Sequence, residues 1–154
     1  MRHLTACILR NQLTKATDQQ RIEHVTKIFD LWSSKRIYDA RELIHNEISC
    51  SRKLDEKDIL LDEKDILKVH NWLDFLRESK KESDTKKYFL IVHMIDIMDY
   101  AAYITTKNKF SGSKEIYNFF DSHKYYYKIL RFYIERRKNK WKSLVEQFKK
   151  DDKS

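Results

Sequence analysis

The chain has 154 residues, with 32 Lys and Arg against 24 Asp and Glu, a formal net charge of +8, 36% charged and 41% apolar residues, one glycine and no proline. Phosphate-binding glycine loops, dinucleotide glycine fingerprints and nucleophile elbows need glycine where the backbone closes on a phosphate or turns sharply. A lone Gly112 excludes all three, and the composition equally excludes collagen-like, polyproline and Gly/Ser-linker sequences.

An aromatic share of 13% supplies bulk for a core and argues against disorder. Cys7 and Cys50 are too few for a disulfide framework or a cysteine zinc site, so a reducing, cytoplasmic setting is expected. The uncharged stretch Leu4 to Leu9 is far too short to span a bilayer and no signal-peptide cleavage pattern follows it.

In chain order, residues 1–16 are weakly patterned. Thr17 and Gln20 form a T-x-x-Q capping box, followed at helical spacing by Ile22, Val25, Ile28, Phe29 and Trp32. Ser33 and Ser34 interrupt, and a second helix carries Ile37, Ala40, Ile44 and Ile48 on one side. Cys50 to Lys53 reads as a turn. Leu54 to Leu60 and Leu61 to Leu67 are both LDEKDIL, a tandem heptad that keeps its apolar residues on nearly one face. Ile59, Ile66 and Leu73 continue that stripe, flanked by Leu60, Leu67 and Leu76. The repeat reads as a local duplication lengthening one helix.

Glu78 to Asp84 is a charged loop with Ser83 as N-cap. The helix from about Asp84 to Lys107 is the most apolar, with Tyr88, Ile91, Val92, Ile95, Met98 and Ala102, and is expected to be central. A short helix around Ile116, Phe119 and Phe120 follows the glycine. Ser122 then caps one last helix with the stripe Tyr126, Leu130, Ile134, Trp141, Val145 and Phe148. No strand pattern occurs, so the fold class is all-α: one bundle over 17–150 of four or five long helices plus one short helix, with a polar tail at 151–154.

The basicity is local. Residues 122–154 hold eleven Lys and Arg and four Asp and Glu, a net of +7, leaving +1 for residues 1–121. Lys124, Lys128, Arg131, Arg136, Arg137, Lys138, Lys140 and Lys142 are interleaved with Tyr125, Tyr127, Tyr133 and Trp141, a pattern suited to neutralising phosphates and stacking on bases. No nucleic-acid recognition motif accompanies it, and a solvated face is the ordinary reading of such charge. His93, Asp96 and Asp99 share a face of the apolar helix. One or both of the acids are expected to face a polar seam and hydrogen-bond a Tyr or Arg from a neighbouring helix, with Tyr100, Tyr103 or Arg131 available. Neither a metal site nor a cofactor is expected. Arg41 and His45 also share a helix face, resembling the Arg/His pair of helical ribonucleases of the HEPN type, but the spacing is one residue short and Glu42 sits where it would repel a phosphate.

Three stretches, RIEHVTKIFDLWSSKRIYDA from Arg21, YFLIVHMIDIMDYAAY from Tyr88 and IYNFFDSHKYYYKILRFYIERR from Ile116, resemble a bacterial and phage helical family catalogued only as domain of unknown function 4760. The resemblance implies a buried structural pair between Asp96 and Arg137, and brings no activity. Many relatives carry a membrane helix before the domain, and Leu4 to Leu9 is expected to be at most a remnant of it. The expected role is a non-enzymatic interaction module, of bacterial or phage-related origin, that binds a protein partner or a second copy of itself. The alternative is polyanion or nucleic-acid binding through residues 124–142, and a HEPN-like ribonuclease stands third.

Overall fold

In a computed structural model, residues 19–20, 22–49, 63–107 and 124–153 are described. They form six helices and no strand: α1 over 22–32, α2 (Lys35–Ser49), α3 (Glu63–Glu78), α4 (Glu82–Lys107), α5 (Lys124–Glu135) and α6 (Lys142–Lys153). The fold is the expected all-α bundle. No helix among the described residues is long and apolar enough to cross a membrane. The Thr17 cap, Cys7, Cys50, the first LDEKDIL copy, the short helix at 116–120 and the Ser122 cap lie outside the described residues.

The apolar stripes explain the packing. Ile37, Ala40, Ile44 and Ile48 of α2 are all buried. Helix α4 buries Ile91, Val92, Met94, Ile95, Ile97, Met98, Ala101, Ala102 and Ile104, a band too wide for one neighbour. It packs against α2, α3 and α6, as befits the central helix. A Tyr100–His24 hydrogen bond adds a polar tie to α1. Helix α3 lies against both α4 and α5. Contacts between α3 and α5 advance together, from His70 against Phe132 to Asp74 against Arg137, so the two run parallel with α4 as the crossover between them.

Four details differ from the sequence reading. The N-cap of α4 is not Ser83: the helix starts at Glu82, Ser79 Oγ accepts from the Lys81 amide at 3.2 Å, and the same hydroxyl donates to Asp84 at 2.7 Å. The expected single last helix is two, broken by a turn over 136–141. Its stripe survives the break, since Leu130, Ile134, Trp141 and Val145 are all buried. Residues 151–153 continue α6 instead of forming a tail, because Asp152 is gripped by Arg131, whose Nη1 donates to Oδ1 at 2.9 Å. Finally, Ile22, Phe29 and Leu67 are exposed although periodicity placed them on or beside the apolar face.

Candidate functional site

The acids of α4 resolve into structural roles. Trp141 Nε1 donates to Asp96 Oδ1 at 2.8 Å, and the Leu144 amide donates to Asp99 Oδ1 at 2.9 Å. Asp99 therefore caps the N-terminus of α6 from another helix, satisfying amides that the first turn leaves orphaned. Burial pushes its carboxyl above the ordinary value, aided by the charge of Asp96 and opposed by the Leu144 and Ser143 amides. The anticipated Tyr100, Tyr103 and Arg131 are not these partners. No group of three possible metal ligands occurs among the described residues.

The Asp96–Arg137 pair is not formed. Arg137 reaches α3, where its Nη2 donates to Asp74 Oδ1 at 3.0 Å and its guanidinium lies 4.5 Å from the Tyr133 ring centroid. The turn at 136–141 carries Arg137 to α3, while the indole of Trp141 takes the place at Asp96. The other Asp74 oxygen lies 3.2 Å from His70 Nε2. His70 is buried against Phe132 and Tyr133, and burial lowers its pKa, with Asp74 opposing and Arg136 and Arg137 reinforcing. The Tyr133 and Tyr88 hydroxyls share a hydrogen bond of 2.9 Å, tying α5 to the start of α4.

These contacts sort the eight basic residues. Arg131 is held by Glu135 and Asp152, which raise its pKa further. Arg137 is neutralised by Asp74. Lys128 is exposed on α5, and the side chain of Lys124 lies outside the described residues. Arg136, Lys138, Lys140 and Lys142 remain, all exposed, within seven residues and with no ion pair to a described residue. Two of them rest on rings: Arg136 is 4.8 Å from the Phe132 centroid and Lys140 is 5.0 Å from that of Trp141. Such backing holds a cation in place without cancelling its charge. The basic element is thus a short knuckle between two helices, not a continuous charged helix.

Two exposed phenylalanines missed in the sequence sit at the same end of the bundle. Phe75 follows Asp74, the partner of Arg137, and is 60% exposed; Phe89 follows Tyr88, the partner of Tyr133, and is 59% exposed. Phe75 lies off the Val69, Leu73, Leu76 stripe, which was the available signal for it. Arg41 and His45, by contrast, are brought together with Tyr126 in a separate hollow. Protein-family models, curated proteins and solved structures give no match to this chain.

Proposed function

We propose that this chain is a non-enzymatic helical interaction module that docks an acidic protein surface at the end of the bundle bearing residues 136–142. The observation that supports this reading is the cationic knuckle of Arg136, Lys138, Lys140 and Lys142 at the same end as the exposed Phe75 and Phe89. Charge steers and orients a partner, while desolvated aromatic anchors supply most of the binding energy. A protein surface offers both complements. The resemblance to the uncharacterised helical family fits such a role without specifying a partner.

The test is photo-crosslinking from cell extract with a benzophenone amino acid at position 75, at 89, or at the exposed Asn71 as a control. A discrete adduct from 75 and 89, absent from 71 and lost when Lys138, Lys140 and Lys142 are changed together to Glu, is the expected outcome. No adduct from either position overturns the reading.

The unneutralised cations favour one second reading, nucleic-acid docking. On that reading labelled RNA or DNA binds with an affinity falling linearly on a log–log salt plot, and the triple Glu variant removes about three phosphate contacts' worth of slope. Absence of binding at low salt eliminates it.

A further inference from the structure

A hollow of about 380 Å³ opens beside α2, lined by Tyr38, Arg41, Glu42, His45 and Tyr126. Its walls are fixed. The Arg41 guanidinium lies 5.5 Å from the Trp32 ring centroid, and Trp32 meets Tyr126 edge-on at 6.1 Å. His45 stacks on Tyr125 at 5.2 Å with the rings 9° from parallel, and its Nε2 shares a hydrogen bond of 2.9 Å with the Tyr126 hydroxyl. Burial raises the Tyr126 pKa against the pull of the Arg41 charge, so the hydroxyl keeps its proton at neutral pH.

Arg41 is unsatisfied there. Among the described residues it makes no ion pair and no hydrogen bond, and its Nε is buried without a partner. A half-buried guanidinium without a counter-ion is an incomplete arrangement, and its planar fork of donors matches phosphate oxygens. The acid beside it, Glu42, is exposed and makes no ion pair to a described residue. That carboxylate repels any phosphate placed against it, which confines the phosphate to the Arg41 side, and it accepts well from sugar hydroxyls. Tyr38, 57% exposed on the rim, offers a ring face to a planar group. The volume lies within the range of small-molecule pockets.

We propose that this hollow binds a ribonucleoside monophosphate: its single phosphate on Arg41, its sugar diol on Glu42 and its base against Tyr38. The site is independent of the docking surface, since Tyr126 opens α5 whereas the cationic knuckle follows the end of that helix.

The experiment is calorimetric titration of the full chain with AMP, 2′-deoxyadenosine monophosphate, adenosine, inorganic phosphate and a short oligoribonucleotide. AMP is expected to bind at least about tenfold more tightly than adenosine or phosphate, a difference of about 1.4 kcal/mol. Arg41→Lys, which keeps the charge and loses the fork, should weaken AMP about tenfold. Because Arg41 packs on Trp32, folding of that variant is checked by circular dichroism. Tyr38→Ala and Glu42→Gln change exposed side chains and carry the test if it is destabilised. Tyr38→Ala should weaken AMP but not phosphate, and Glu42→Gln should reduce the preference for AMP over its deoxy form. The Lys138, Lys140, Lys142 triple variant should bind AMP unchanged. No AMP binding at millimolar concentration, equal binding of adenosine or phosphate, or tighter binding of the oligonucleotide overturns the assignment.

Discussion

Replacing Asp99 separates two contributions that a capping carboxylate normally combines, its acceptor oxygen and its charge. The oxygen receives the Leu144 amide at 2.9 Å, and the nearby Ser143 amide also favours the charged form, at a helix with no acidic residue in its first turn. Asp99→Ala removes this cap and should cost about 1 kcal/mol, within the 0.5–2 kcal/mol seen for lost N-caps. For a domain of this size, that is a fall in Tm of about 2–4 °C. Asp99→Asn keeps an acceptor and removes the charge. The folded carboxyl is raised, by burial first, so the folded state binds the proton more tightly than the unfolded state does. The group's stabilisation is therefore complete below the unfolded pKa of 3.8 and is lost as pH rises through the folded value. Asn resembles the protonated form, so at pH 7 Asp99→Asn should match or exceed wild type by a few tenths of a kcal/mol, including relief of the repulsion with Asp96. The gap should close as pH falls towards 3.8. Urea unfolding of the three proteins at pH 4 and pH 7 measures this. If Asn is as destabilising as Ala at pH 7, charge rather than the acceptor holds α6, and the reasoning fails.

Two further outcomes follow from the buried polar contacts. His70 is held neutral by burial, so the unfolded chain takes up a proton that the folded chain resists; stability should fall as pH drops through 6.5, and His70→Gln should flatten that part of the profile in a denaturant titration. The hydroxyl pair of Tyr88 and Tyr133 should show a coupling of about 0.5–1.5 kcal/mol in a cycle of the two Tyr→Phe variants, with strict additivity as the contrary result.

Periodicity located the bundle well because burial of a helix face needs nothing beyond local spacing. Ile37, Ala40, Ile44 and Ile48 were placed on one face by their three- and four-residue steps, and all are buried. The same reasoning could not see the break at 136–141, where neither glycine nor proline interrupts. What stops the helix is tertiary: Asp96 takes the Trp141 indole and Asp99 caps the next helix, both from α4, more than forty residues earlier. Turn bonds from Arg137 to Ile134 and from Lys140 to Arg137, each 2.9 Å, carry the chain across. Charge counting found the basic region but not its pairing, so Arg131 and Arg137 looked equivalent to Lys138 until Asp152 and Asp74 were placed beside them. The Arg41 hollow was half legible: spacing put Arg41 and His45 on one face, while Tyr126 arrives from a helix 81 residues away.

The capping of α6 by α4 also bears on the order in which the chain acquires structure. A twelve-residue helix that opens on Lys142, with no acid in its first turn, has little to sustain it in water by itself. The acids that complete its first turn are translated well before it, so by the time α6 emerges its cap is already present on α4. The final helix should therefore contribute little to the transition state for folding. Substitutions in it should speed unfolding while leaving the folding rate nearly unchanged.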